Sequence, residues 1–505
     1  MRKPRNFLFY PGALCVSIVL TGCTVGPQFE RPAAPHAQRY TASSLSDVKG
    51  GPRAVLGEGP AMRWWEAFDS PELNALVERA IAHNYSLKAS NATLERARQR
   101  IAVVAGKQLP QVDANARMEH EQINLAGSGF EPGALPGLAS NPEFDLYTVG
   151  GGISYDLDLF GGTRRELEQV SAQAESQRYQ TEAAHLTVAG RVVNQVLTIA
   201  GIRARIATAD ALIAEDQHNV DLTETRRRAG EGTLTEVLNA QAQLANDRSE
   251  LPQFGQQLAE ARNMLAILVG VAPAELGPTE FDLTSFALPA QVPVTLPSAL
   301  VHKRPDILQA EADLQAATAA IGVAKARLYP DIRLGATLTQ GAPDPGDVLS
   351  SAFRGFDIFA GLTAPIFHGG TLKAEQREAM SAARASAATY QQTVLEAFSQ
   401  VANLLQAINS DQLSMNNQQQ AVDVAARSLH LSRRSFQVGN SGLLQVLESE
   451  RLYQRATSGL VEAKTRQYLN VARLYVATAG GWSSQAMSNA DEVSRAGTQL
   501  RLAGS

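Results

Sequence analysis

Two hydrophobic rhythms alternate along this chain. The first has period two: Ile332, Leu334, Ala336 and Leu338 alternate with polar or small residues, and Ile358, Ala360, Leu362, Ala364 and Ile366 repeat the pattern. An earlier stretch, Ile153, Tyr155, Leu157 and Leu159 set against Ser154, Asp156 and Asp158, follows the same rule. Each run predicts a strand with one apolar face. The second rhythm is helical. Val394, Phe398, Val401, Leu405 and Ile408 recur at spacings of four and three, and Val422, Ala426, Leu429, Arg433 and Phe436 resume the register. Leu186, Gly190, Val193, Leu197, Ala200 and Ala204 keep the same beat earlier in the chain. No proline interrupts Thr163 to Ala229 or Thr371 to Val438, so each helix would be on the order of 100 Å long. No compact domain needs such a helix; a rod or tunnel standing off a membrane does.

These elements occur twice. KQLPQVDANARM near residue 109 answers ARLYPDIRLGATL near 329, DLFGGTRRELEQ near 160 answers PIFHGGTLKAEQ near 367, and RRRAGEGTLTEVLNAQ near 230 answers FQVGNSGLLQVLESE near 439. The landmarks keep their order at offsets of roughly 210–220 residues, the signature of an internal duplication. The first repeat is expected over 71–285, with strands at about 110–120 and 147–160, a long helix 163–229, a tip at 230 and a helix 233–269. The second is expected over 286–482, with a helix 298–328, strands at about 330–340 and 355–367, a long helix 371–438, a tip at 439 and a helix 443–479. Thr163 with Glu166 and Thr233 with Glu236 have capping-box spacing, and Ser70-Pro71-Glu72 reads as an N-cap, an N1 proline and a first-turn acid. Segments 23–60 and 270–297 read as extended linkers, and 483–505 as a polar tail.

Four strands with one apolar face cannot close a barrel. In lipid an open sheet edge is not viable, because unpaired backbone groups cost several kcal/mol each. Either the sheet packs on the chain's own helices or several chains pool their strands. Three chains would supply twelve, an even number within the range of outer-membrane barrels.

The beginning of the chain sets the compartment. Arg2, Lys3 and Arg5 precede an apolar run from Phe7 to Leu20, and Leu20-Thr21-Gly22-Cys23 closes it. Residues 1–22 read as a lipoprotein export signal, cut before Cys23, with 23–70 as the lipidated extended segment. Cys23 would take an S-diacylglycerol and an N-palmitoyl chain, a stable anchor. Thr24, rather than Asp, after the lipidated residue favours the outer membrane over retention at the inner one. The only other cysteine, Cys15, lies inside the signal, so the mature chain has no disulfide. Composition agrees with long, closely packed helices, at 44% apolar but only 6% aromatic residues. A net charge of −5 gives no nucleic-acid footprint.

Enzyme signatures are missing. Gly439-Asn440-Ser441-Gly442 lacks the G-x-S-x-G spacing, and Gly150-Gly151-Gly152 opens no helix that could cradle a phosphate. The eight histidines show no paired metal spacing, and the six methionines after Met1 do not cluster as a Cu(I) conduit would require. No cofactor is expected beyond the lipid. Arg226-Arg227-Arg228 reads as a solvated face, or alternatively as an electrostatic contact.

The chain resembles the TolC-type outer-membrane factors, in the lipoprotein branch that serves resistance-nodulation-division efflux pumps. The resemblance rests on CTVGPQFERP at 23–32, WWEAFDSPELNALVERAIAHN at 64–84 and HKRPDILQAEADLQAATAAIGVAKARLYPDIRLGAT at 302–337, and covers essentially the whole mature length. It implies a homotrimer combining an all-α tunnel with a transmembrane β-barrel: a 12-stranded barrel in the outer membrane above a 12-helix periplasmic α-barrel. It implies a passive exit duct, not an enzyme, for small molecules expelled by an inner-membrane pump through a periplasmic adaptor. The adaptor would meet the tips at Gly230, Glu231, Val438, Gly439 and Asn440, and a periplasmic gate would lie at Leu444, Glu448 and Arg451. Gln445 and Asn239 stand where relatives can have acids, which weakens an acidic entrance ring. For Glu448 and Arg451 an ordinary solvated i, i+3 pair remains the alternative. Two other functions compete: a duct for an ATP-driven polypeptide secretion system, and a non-channel envelope scaffold.

Overall fold

The computed structural model describes residues 24–33, 37, 39–41, 51–57, 59–124 and 142–478. The signal segment, Cys23, most of the first inter-strand loop and the tail lie outside them. The duplication is visible in the lengths of matching elements. After strand β1 (Arg53–Gly57) and helix α1 (Pro71–His83), the first repeat runs α2 (Tyr85–Gly106), β2 (Gln111–Gln122), β3 (Glu143–Asp156), α3 (Gly162–Arg228) and α4 (Leu234–Val269). After strand β4 (Gln291–Thr295) and one turn, α5 (Pro297–Leu300), the second runs α6 (Pro305–Ala326), β5 (Asp331–Ala342), β6 (Arg354–Thr363), α7 (Thr371–Gln437) and α8 (Leu443–Ala477). Helices α2 and α6 have 22 residues each, α3 and α7 67 each, and α4 and α8 36 and 35. Among the described residues no helix is long and apolar enough to cross a membrane.

The chain divides into two compact units that do not coincide with the two repeats; each takes residues from both. One comprises Glu95–Glu175 and Glu311–Ala388 with the N-terminal segment up to Arg31. It holds an antiparallel sheet in the order β2-β3-β5-β6. Its strands alternate as expected, but β3 stops at Asp156 and β6 at Thr363; Leu157 makes one last bond, to the Ile332 carbonyl at 3.0 Å, and Leu159, Ala364 and Ile366 fall outside the strands. Asp158 accounts for the first stop, since its φ of 43° turns the backbone out of the extended region. The same residue corrects the expected cap on α3. Thr163 and Glu166 form no capping box; the Asp158 carboxylate accepts from the Thr163 and Arg164 amides at 3.0 Å each, and Glu166 instead binds Lys107 at 2.7 Å.

The other unit takes in the described residues of 32–94, 176–310 and 389–478. Its core is built on the helical stripe. Val394, Val401, Leu405 and Ile408 of α7 are buried against Leu186, Val193, Leu197 and Ala200 of α3 in one cluster, which also takes in Trp64, Trp65 and Phe68. Trp64 stacks on Tyr475 at 5.5 Å between ring centroids. Helices α3 and α8 approach closely because α3 presents glycines: a Cβ at Gly190 would sit 2.6 Å from Val476, and one at Gly201 2.5 Å from Thr465. The segments expected to be plain linkers contain a parallel ladder in which Arg53–Gly57 pairs with Gln291–Thr295, with Val292 and Val294 buried. The helix expected over 298–328 is broken, because Pro305 disfavours the helical conformation at Arg304. Ser70 caps α1 through the Leu73 amide, and the Thr233–Glu236 capping box opens α4.

Candidate functional site

The sheet register sorts the strands into two chemistries. Cross-strand partners share a face, so the row Val112–Ile153–Ala336–Ile358 lies on one side and the row Asp113–Gly152–Thr337–Asp357 on the other. Extended along the strands, the first face collects Val112, Ala114, Ala116, Met118, Val149, Ile153, Leu334, Leu338, Phe356, Ile358 and Leu362, and turns polar only at its loop end, at His120, Gln122, Glu143, Asp145, Gln340 and Arg354. The second collects Asp113, Asn115, Arg117, Glu119, Ser154, Asp156, Arg333, Thr337, Thr339 and Asp357, with Arg333 paired to Asp156 at 2.8 Å. Glycines at 150, 152, 335, 341, 355 and 361 occupy much of the rest of that polar face, where Phe144, Leu146 and Phe359 are its apolar exceptions. Among the described residues nothing covers either face. Every residue of β6 is exposed, and Val112, Met118, Phe356, Ile358 and Leu362 are among the most exposed apolar side chains. The sheet therefore does not pack on the chain's own helices. Its strands, of 10 to 14 residues, suit a membrane crossing, and β2 and β6 leave unpaired backbone edges.

Next to the sheet, the first residues after Cys23 are sewn onto the start of α3. The Val25 amide donates to the Phe160 carbonyl at 3.1 Å. The buried Arg165 donates from Nε to the Val25 carbonyl at 3.1 Å and from Nη2 to that of Gly26 at 3.3 Å, while Nη1 holds Glu168 at 2.7 Å. Sequence reasoning missed Arg165, which has no motif. Cys23 itself lies outside the described residues.

The two glycine tips are built alike. In the first, the Glu231 amide reaches the Arg226 carbonyl at 2.9 Å and the Gly230 amide that of Arg227 at 3.0 Å; in the second, Asn440 reaches Ser435 at 2.9 Å and Gly439 reaches Phe436 at 3.0 Å. These nested 6→1 and 5→2 bonds are Schellman caps, which need a left-handed residue. Gly230 and Gly439 supply it at φ 79° and 78°, and a Cβ on either would touch nothing within 4 Å. Backbone conformation, not space, demands glycine there. The arginine run is used locally. Arg226 lies over the Phe436 ring at 4.4 Å, joining the tips, while Arg227 and then Arg228 hold the Glu224 carboxyl down at about 2. Glu231, Val438 and Asn440 are exposed, as are Leu234 and Leu238.

Behind the second tip, Leu444 points outward with 74% of its surface exposed. Glu448 and Arg451 approach only to 3.5 Å, with side chains 60% and 52% exposed. Arg451 also donates to Gln243 Oε1 on α4 at 3.2 Å. The strongly held acid is a different one. Glu450, 4% exposed, accepts from Asn219 of α3 at 2.7 Å and from Arg433 of α7 at 2.8 Å, and Arg433 also holds Glu215 at 2.7 Å. Glu450 is two residues from Glu448, so a helical turn sends the two side chains to different surroundings; spacing alone does not say which is buried.

Known proteins share this arrangement. The family model described as outer membrane efflux protein matches residues 76–271 and 296–480. The pyoverdine export outer membrane protein OpmQ of Pseudomonas aeruginosa is 31% identical over 471 residues, covering 93% of this chain and 96% of its own. The outer-membrane channel OprN superposes with a TM-score of 0.81 at 28% identity, over 91% of this chain and 100% of that one. The open-state MtrE outer membrane channel of Neisseria gonorrhoeae gives 0.73 at 26% identity, over 91% and 98%. The chain belongs to the outer membrane efflux protein family and is an outer-membrane channel component of an efflux system, reaching into the periplasm.

Proposed function

We propose that three copies of the chain pool their sheets into one twelve-stranded barrel and act as a passive exit duct for small molecules. The observation that carries this reading is the sheet: one apolar face, one polar face, no cover and two unpaired edges. Joining β6 of one copy to β2 of the next satisfies the backbone, turns the apolar face to lipid and leaves the polar face around an aqueous lumen. The chain performs no catalysis. Energy comes from an inner-membrane pump of the resistance-nodulation-division class, passed through a periplasmic adaptor that meets Gly230, Glu231, Val438, Gly439 and Asn440. An S-diacylglycerol and an N-palmitoyl chain on Cys23 anchor the assembly. Leu444, Glu448 and Arg451 form the gate, which opens when the tip helices splay.

Planar-bilayer recording of the purified protein tests the duct. Discrete conductance steps from a species with the mass of three chains are expected, and a bilayer-bound protein without conductance would make it an envelope scaffold. A photo-reactive residue at Asn440 tests the partner in cells. Capture of an adaptor from a resistance-nodulation-division system is expected; capture of one from an ATP-driven secretion system would shift the cargo to polypeptide.

A further inference from the structure

Four helices meet around a carboxyl group for which passive conduction has no use. Asp216 on α3 is 2% exposed, and its Oδ2 has no hydrogen-bond partner among the described residues. The Asp216 carboxyl instead meets another carboxyl, Asp247 on α4, within hydrogen-bonding reach and itself 7% exposed. Two further acids act on Asp216 through their charge, Glu450 from α8 and Glu215 from α3. Of the nearby cations, Arg433 on α7 is held by those two acids at 2.7 and 2.8 Å, and Arg248 on α4 donates to Gln217 Oε1 at 3.0 Å. Among the described residues, the charged groups that act most on Asp216 are all acids. The Oδ2 of Asp247 accepts from Gln243 Nε2 at 2.8 Å, and Gln243 Oε1 accepts from Arg451 of α8.

Two carboxylates in contact and away from water repel one another. A single proton converts the repulsion into an O–H···O hydrogen bond and gives the unpartnered oxygen a role. A metal ion could also neutralise them, but no group of three or more ligating side chains converges among the described residues. We propose that Asp216 and Asp247 bind one proton between them, and that this proton fastens α3 to α4 behind the first tip.

The titration has a definite sign. Burial first, then the hydrogen bond and charge of Asp247, push the Asp216 carboxyl up to about 8. Once α4 loosens and water reaches it, Asp216 returns to the ordinary range near 4. Between about pH 4 and pH 8 the fastened form keeps a proton that the loosened form has released. The ratio of fastened to loosened chains therefore falls roughly tenfold per pH unit across that window and is level above it. Acid tightens the hairpin and alkali loosens it. Through Gln243 the same proton also orients Arg451; only that consequence for gating rests on the exit-duct reading.

Hydrogen exchange read by mass spectrometry on the full-length protein tests the proton directly. The quantity is the opening constant of peptides covering 236–250, corrected for the intrinsic pH dependence of exchange, between pH 5 and pH 8. In the natural chain it should rise by roughly a hundredfold over two pH units. In Asp216→Asn it should not change with pH, because the amide donates to Asp247 without any titrating proton. Asp247→Asn makes the converse substitution and serves if the first variant does not fold. A constant that is independent of pH in the natural chain, or an equal slope in a folded Asn variant, overturns the proposal. Neither result bears on conductance, so the duct reading fails or stands separately.

Discussion

Replacing Ile358 with arginine puts the sidedness of the sheet to a quantitative test. Ile358 is the fifth of ten residues in β6, it is 77% exposed in the single chain, and its row continues through Ala336, Ile153 and Val112. If that row faces hydrocarbon near the middle of the bilayer, each arginine costs about 2–4 kcal/mol, or about 6–12 kcal/mol for a barrel of three chains. The control is the adjacent residue. Asp357 lies in the row with Thr337, Gly152 and Asp113, so Asp357→Arg adds charge to a polar, wetted face and should stay within about 0.5 kcal/mol. Folding into lipid vesicles from urea, followed by the heat-modifiable mobility of the folded species, reads both variants on one scale. An Ile358→Arg penalty no larger than that of Asp357→Arg would mean that this face does not meet lipid, and the barrel would have to be abandoned.

Other outcomes follow from the same geometry. Glu450→Ala strands the Asn219 amide and half of the Arg433 network, and should lower unfolding stability by about 2–3 kcal/mol, whereas Glu448→Ala should change it by less than about 1 kcal/mol; urea midpoints compare them. Gly439→Ala forces a side chain into the left-handed region at a cost of about 1–2 kcal/mol, and Gly439→Asn costs less, so proteolysis at the tip should rank them alanine, asparagine, glycine. The polar face carries Asp113, Glu119, Glu121, Asp156, Asp331 and Asp357 against Arg117 and Arg333, so reversal potentials should show cation preference, and anion preference would argue that this face does not line the lumen. Glu448→Ala combined with Arg451→Ala should raise single-channel conductance; an unchanged trace would remove both residues from the gate.

Much of this architecture is legible from order and period alone. Strand and helix rhythms depend on which residue follows which, so Leu334 and Leu338 in a strand, or Val394 and Val401 in a helix, announce their element without any partner. The glycine tips are equally local: a Schellman cap closes within six residues, and Gly230 and Gly439 are marked by the helices they end. Local signals still lose where a nearby side chain competes. Thr163 and Glu166 have the spacing of a capping box, yet Asp158, its own backbone in the left-handed region, takes the Thr163 amide that Glu166 would have capped and the Arg164 amide beside it.

What only the tertiary structure decided are the contacts between residues far apart in the chain. Period two says that Ile358 and Asp357 face opposite ways, but only the register through β5 and β3 shows that whole rows agree and that nothing among the described residues covers them. Likewise Arg53–Gly57 reads as a linker until Gln291–Thr295 comes alongside it. Among the acids near the tips, Glu448 and Glu450 look equivalent in sequence. The packing of α3, α7 and α8 leaves one in water and buries the other with Asn219 and Arg433, and burial sets the chemistry of a charge. Asp216 and Asp247, 31 positions apart on two helices, meet for the same reason. Periodicity is a property of neighbours along the chain and survives in the sequence; the surroundings of a carboxyl are a property of the fold and do not.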